Sequence, residues 1–312
     1  LARALSILML GTLGIAFAAI FVRWALPAPP VVTTFYRIGF ATAALLLWLG
    51  LRGRICWPGR RAALLAGAAG ICFGADLALW STALTLTSVA SATLLVHTTP
   101  IFVGAYALLA GREKISARFA AGCAVALPGV ALLLRGDAAL AQRESAAVDS
   151  FAAWSAAEIG DGLALAGAVF FSGYILLIRS ARQGMSAPMA VALSGVSATA
   201  TAGAAALLRG DAFHGFPAQS WAAFAAAALV SHLGGALGVV WALGQLRATF
   251  TSVALLAVPV FAALLGWLLL GEKPGPLQFL GGALVIAGIA LASRGETAGE
   301  AQGLKPRSGH QG

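Results

Sequence analysis

Ten apolar stretches follow one another down the chain, at residues 4–22, 33–51, 62–85, 88–110, 119–134, 162–178, 187–208, 221–243, 251–270 and 277–292. Most are about 17 to 25 residues long, enough at about 1.5 Å of rise per residue to cross the roughly 30 Å of hydrocarbon in a bilayer. Lipid offers no partner to a free backbone amide, so a single segment of this kind crosses as a helix. The stretches predict an all-α polytopic membrane protein with ten transmembrane helices. Composition agrees, since 60% of the 312 residues are hydrophobic and only 10% are charged, unlike a soluble domain. The first stretch is as long as a span and nine more follow, so it reads as a helix and not as a secretory leader.

A formal net charge of +9 raises the question of a polyanionic partner, and the placement of the basic residues answers it. With the N-terminus in the cytoplasm, Arg3, Arg52, Arg54, Arg60, Arg61, Arg112, Lys114, Arg118, Arg179, Arg182, Arg247, Arg294, Lys305 and Arg307 fall inside, fourteen of the twenty Lys and Arg. Arg23, Arg135, Arg143, Arg209 and Lys273 fall outside. This is the positive-inside bias, so the charge reports orientation and no nucleic-acid partner is expected. The expected setting is a bacterial inner membrane, with both termini cytoplasmic. Cys56, Cys72 and Cys123 lack metal-ligand spacing and read as small packing residues. Neither an HExxH pair nor a Gly-rich nucleotide loop occurs, so no metal or cofactor is expected.

The stretch PIFVGAYALLAGREK from Pro100 returns as PVFAALLGWLLLGEK from Pro259, an offset of 259 − 100 = 159 residues. The register then holds without a gap: Phe102 matches Phe261, Glu113 Glu272, Lys114 Lys273, Gly122 Gly281, Gly129 Gly288 and Leu132 Leu291. Spans four and five thus correspond to nine and ten. Five is odd, so consecutive copies enter the membrane from opposite sides, as two inverted five-helix repeats. Such repeats place a cavity at their interface near the midplane and rock to expose it alternately. The expected division is 1–135 for the first repeat, 136–161 for a periplasmic linker, 162–293 for the second repeat and 294–312 for a polar, disordered cytoplasmic tail. Within the linker, Val148, Phe151, Ala152, Ser155 and Ile159 recur at helical spacing, so an interfacial helix and a disordered linker both stand.

Three stretches carry a resemblance: TTFYRIGFATAALLL, STALTLTSVASATLLVHTTPIFVGAYALLAGREKIS and ALGQLRATFTSVALLAVPVFAALLGWLLLGEKPGPLQFLGGALVIAGIALA. They resemble the EamA family of the drug/metabolite transporter superfamily. Each of the longer two has small and polar residues opening a helix, a proline near mid-helix and a Gly-x-Glu or Gly-Glu turn. The resemblance implies a ten-helix secondary carrier, often an exporter of amino acids or related small metabolites, and leaves the substrate open. Where a counterpart of Arg37 would fall, the second half has Ser194 or Gly195, so a role of Arg37 is not duplicated.

Ionisable groups inside spans are costly and mark functional positions. Counted from the outer ends of their spans, Asp76, His97 and His232 lie near the midplane. Arg37 lies nearer the outer end, within snorkelling reach. Steps of about 100° per residue put Phe73, Asp76 and Trp80 on one stripe of the third span. Gly70 and Gly74 lie on another face, where a small-xxx-small pair admits a close neighbour. Thr93, His97, Pro100 and Gly104 share a face of the fourth span; Pro100 and Pro259 deprive the Val96 and Leu255 carbonyls of their usual donors and predict kinks. Phe170 and Tyr174 form an i, i+4 pair in the sixth. Asp76, Trp80, His97, Phe170, Tyr174 and His232 are the candidate cavity residues. Asp76 reads either as a proton-coupling or substrate-amine site or as an anchor paired with Arg37. Aromatic walls favour apolar or aromatic amino acids. Trp24, Trp48, Trp57, Trp221, Trp241 and Trp267 lie near span ends and read as an interfacial belt.

Two rival functions fit less well. A Ser194–His232 dyad would make an intramembrane enzyme, but ALSG lacks the Gly-x-Ser-Gly elbow. A channel needs a continuous polar pore, and the spans offer few charges to line one. The expected partners are a small-molecule substrate and the lipid bilayer. Without a nucleotide motif, passive facilitation and proton coupling both remain open.

Overall fold

The computed structural model describes residues 1–83, 86–87, 89–110, 116–141, 151–271 and 274–303, and these form helices and turns with no strand among them. The first three spans are α1 (Ala2–Trp24), α2 (Pro30–Leu51) and α3 (Arg60–Ala83). The fourth is broken into α4 (Val89–Val96) and α5 (Thr99–Leu109). The fifth to seventh are α6 (Ala117–Ala141), α7 (Phe151–Ala181) and α8 (Ala187–Arg209). The eighth runs through α9 (Ala218–Ala226), a π-helix (Ala227–Ala236) and α10 (Leu237–Leu243). The ninth is broken into α11 (Ala248–Ala254) and α12 (Ala257–Leu270), and the tenth is α13 (Pro276–Gly303). Among the described residues, nine spans are apolar over membrane length, and the apolar part of α6, Ala117–Leu133, is slightly shorter.

Helix ends differ from expectation at two places. Residues 151–161 form the first turns of α7 and not a separate interfacial helix; Val148 lies outside the described residues. α13 continues to Gly303, into the segment expected as disordered tail, where the sequence has no proline before Pro306 to stop it. The Gly-x-Glu and Gly-Glu turns at 111–114 and 271–273 lie outside the described residues, save Gly271.

The two copies pack as an inverted pair. Equivalent spans five and ten cross with glycines against backbone: a Cβ on Gly122 would lie 2.8 Å from the Gly288 carbonyl oxygen, and one on Gly129 2.8 Å from that of Gly281. Position rises along one helix as it falls along the other, so the equivalents are antiparallel. The same sense holds for spans two and seven, where Gly39 meets Thr199 and Gly195 meets Thr42. The principal packing partners also exchange when the repeats are exchanged: three with six becomes eight with one, three with seven becomes eight with two, and one with nine becomes six with four. Gly70 and Gly74 give the close approach expected of them, with α8 as the neighbour; a Cβ on Gly70 would lie 2.0 Å from the Ser194 carbonyl oxygen.

At one end of the bundle hydrogen bonds join the two halves. The Tyr36 hydroxyl donates to the Phe213 carbonyl (2.6 Å), and Arg209 Nη1 donates to Thr82 Oγ1 (3.0 Å). Tyr36 stacks on Phe224 and meets Trp221 edge-on, each at 4.9 Å. These rings cover the α2 end that carries Arg37.

Candidate functional site

Each broken span opens where a proline lacks its amide. Before Pro100, the hydroxyl of Thr99 donates to the Val96 carbonyl (2.7 Å) and that of Thr98 to the Leu95 carbonyl (2.6 Å). The Thr99 hydroxyl thus replaces the one donor that the proline removes. Before Pro259 the chain tightens instead, with Val258 N donating to the Leu255 carbonyl and Leu256 N to that of Val253, both at 3.0 Å. Interrupted spans at corresponding positions of two repeats point to a binding site between them.

The eighth span is interrupted differently. Its middle turns close i to i+5 bonds over Ala227–Ala236, with His232 inside them and Gly234 and Gly235 following. π turns of this kind concentrate at functional sites. Gly235 packs on α1, where an added Cβ would lie 2.7 Å from the Ile15 amide. Gly235 and Gly238 let α1 approach, Gly238 with its added Cβ 3.2 Å from Gly11 Cα, while His232 stays buried within the bundle.

Arg37, Asp76 and His232 are all buried in the interior, at 8%, 4% and 5% exposure. Arg37 interacts electrostatically with both Asp76 and His232. It does not snorkel, because the aromatic cluster covers its end of α2 and the carboxylate lies deeper. Among the described residues, Arg37 Nε, Thr42 Oγ1, Asp76 Oδ1 and His232 Nε2 are buried without a hydrogen-bond partner. Buried polar atoms are almost always satisfied. These four atoms are contributed by spans two, three and eight. Gly195 makes room for Thr42, whose hydroxyl would lie 2.1 Å from a Cβ there. Gly167 of α7 seats Asp76, with Oδ1 3.1 Å from the position of its missing Cβ.

Phe73, one turn before Asp76, supplies the apolar wall. It stacks on Tyr174 (4.8 Å between centroids), lies 6.1 Å from the His232 ring and 6.5 Å from Phe171. Residues 73 and 232 are themselves separated by 232 − 73 = 159, the repeat offset. They lie in the corresponding spans three and eight, so their contact joins the two copies.

The structure thus brings together Asp76, Arg37, Tyr174 and His232 from the sequence candidates. Trp80 packs instead with Ala83, Ala92 and Ala164 between α3, α4 and α7. His97 sits at the α4–α5 break and its Nδ1 donates to the Thr93 carbonyl (2.7 Å). Phe170 is 40% exposed and points away from the cluster; its neighbour Phe171 faces inward, because one residue is about 100° of helix. Phe171, Thr42 and the π turn had no counterpart among the sequence candidates. The pairing of polar Ser231 and His232 with Gly234 and Gly235 was the available signal for the last. Ser194 Oγ donates to the Val191 carbonyl (3.2 Å) and is no partner to the His232 Nε2.

The sequence pattern described as EamA-like transporter family matches residues 2–135 and 158–294, one five-span copy each. A curated protein of Streptantibioticus cattleyicolor named "Probable terminal-alkyne amino-acid exporter" is 37% identical over 84 residues, which cover 26% of this chain and 28% of that protein. A protein of known crystal structure superposes with a TM-score of 0.75 over 93% of this chain and 98% of its own, at 21% identity; that likeness concerns the fold.

Proposed function

Since the chain belongs to the EamA-like transporter family, we propose that it is a secondary carrier exporting amino acids, apolar and aromatic ones foremost, by alternating access between its two repeats. The observation that carries this reading is the convergence of Arg37, Asp76 and His232, with orphaned polar atoms, beside the Phe73–Tyr174 stack. A guanidinium and a carboxylate set apart in a low-dielectric interior complement the two charged groups of a zwitterion, and an aromatic wall complements its side chain. The name of the curated relative supports the same class, over the short stretch that matches. Asp76, the one acid of the cluster, is the group that would couple transport to protons. The paired breaks at Pro100 and Pro259 and the ties at one end of the bundle support rocking of one half on the other. The basic residues favour an orientation with both termini in the cytoplasm of a bacterial inner membrane.

Counterflow in proteoliposomes tests the proposal. Vesicles loaded with one unlabelled solute from a panel of amino acids and small metabolites are assayed for uptake of its labelled form. Saturable, trans-stimulated uptake of apolar or aromatic amino acids is the expected result. Silence with every amino acid, beside counterflow of another metabolite, would move the substrate to that class and remove the zwitterion assignment.

A further inference from the structure

The hydroxyl of Thr42 is buried, in a residue 5% exposed, and has no hydrogen-bond partner among the described residues. Inside a helix a threonine commonly returns its hydroxyl to the carbonyl four residues back. Thr12, Thr33, Thr199, Thr201 and Thr251 of this chain do so, at 2.7 to 3.2 Å. Thr42, with the Ile38 carbonyl in the same relation, does not. Its hydroxyl is turned towards α8 instead, into space that Gly195 leaves: a Cβ on Gly195 would lie 2.1 Å from Thr42 Oγ1 and 3.4 Å from its Cγ2. Packing does not ask for this orientation. At the other end of the same crossing Thr199 lies against Gly39 with its methyl group nearer (3.3 Å) than its hydroxyl (4.0 Å), and that hydroxyl donates to the Gly195 carbonyl. Of two threonines set against glycines in one crossing, one is satisfied within its helix and the other is left free.

Glycine contacts fix the height of Thr42 relative to the charged residues. Ser194 and Gly195 of α8 meet Gly70 of α3 and Thr42 of α2 respectively, and Ala198 and Thr199 meet Gly74 and Gly39. Continued two residues along each helix, this register brings Asp76 towards Arg37, in keeping with their electrostatic interaction. Counted back from there, Thr42 lies 42 − 37 = 5 residues along α2 and the Gly70 level 76 − 70 = 6 residues along α3, about 7.5 and 9 Å at about 1.5 Å per residue. Phe73, with Tyr174 stacked on it and the His232 ring at 6.1 Å, falls between the two levels. An α-amino acid whose charged groups meet Arg37 and Asp76 would lay its side chain along Phe73, and the far end of an aromatic side chain would come to Thr42. A phenol has that reach and carries at its tip a hydroxyl that donates and accepts, as the threonine hydroxyl does. We infer that Thr42 is a specificity-determining residue of the proposed site, whose free hydroxyl bonds a polar group at the distal end of an aromatic side chain and so favours tyrosine over phenylalanine. The inference rests on the amino-acid reading given above.

Competition in counterflow is the test. Proteoliposomes of the full chain, loaded with unlabelled phenylalanine, take up labelled phenylalanine against rising external tyrosine or phenylalanine. In the wild type tyrosine should compete about two- to tenfold better, the worth of one net hydrogen bond. Thr42→Val keeps the shape and removes the hydroxyl, so it should bring the two solutes level by weakening tyrosine and leaving phenylalanine where it was. Thr42→Ala carries the same expectation should Thr42→Val not fold. Thr42→Ser should keep the preference, as should Thr199→Val, which loses a hydroxyl bonded within α8. Equal competition in the wild type, an unchanged tyrosine preference in Thr42→Val, or a loss that falls on both solutes alike would overturn the inference and leave amino-acid export standing. Silence of the wild type with both solutes, beside counterflow of another metabolite, would remove the amino-acid reading and this inference with it.

Discussion

Asp76 and Arg37 interact without either Asp76 Oδ1 or Arg37 Nε being satisfied. If their charges sustain each other, Asp76→Asn and Arg37→Gln each lower stability, and the double variant loses less than their sum by about 0.5–3 kcal/mol. Strict additivity in denaturation of the purified protein would show two independent residues. For coupling, Asp76→Asn is expected to abolish the response of uptake to a pH gradient and Asp76→Glu to keep part of it; a wild-type response in Asp76→Asn would remove Asp76 from that role. If Phe73 stacks on an aromatic solute in the proposed site, Phe73→Leu removes a contact worth about 0.5–1.5 kcal/mol beyond area. Its KM should therefore rise about two- to tenfold for aromatic solutes and hardly for alanine, as read from competition in counterflow. At this scale the depth of Asp76 and His232 could be counted along the sequence. Which of Phe170 and Phe171 faces inward could not, since span six is apolar all round and offers no polar face to set its rotation.

Close helix approach is the work of single glycines, and it makes a paired prediction at the level of the element. Gly70→Ala drives a methyl group into the α8 backbone and should cost about 1–3 kcal/mol, whereas Gly67, on the same helix with nothing within 4 Å of its added Cβ, should tolerate alanine. Thermal shifts in detergent that fail to separate the two would contradict the packing of α3 on α8. The spans broken at proline were legible because the chemistry is local: a missing amide in a known place. The π turn was not, because it depends on α1 pressing against Gly235 from more than two hundred residues away in sequence.

For the whole molecule, the inverted repeat predicts that equivalent loops face opposite sides. Cys56 is exposed in the α2–α3 loop, and position 56 + 159 = 215 falls in the α8–α9 loop at the other end. An impermeant maleimide on intact cells should leave Cys56 unlabelled and modify Ala212→Cys; the reverse pattern would turn the protein over, and labelling of both would refute the inversion. The topology was readable because the 159-residue register carries glycines and prolines whose spacing survives while the side chains between them drift. Which residues of the two copies meet at the axis was not, since that depends on the angle at which the halves cross.

The contact of Phe73 with His232 bears on energy as well as shape. In a perfect duplicate, exchanging the conformations of the halves would regenerate the same molecule turned over, and its two orientations would be equally populated. Here one side of the axis is a phenyl ring on a regular helix and the other an imidazole on a widened one. The degeneracy is lifted at the point where the copies touch, and a difference of only about 1.4 kcal/mol would make one orientation tenfold the commoner. In the carrier proposed above, the resting preference would be set by where its halves have stopped being alike.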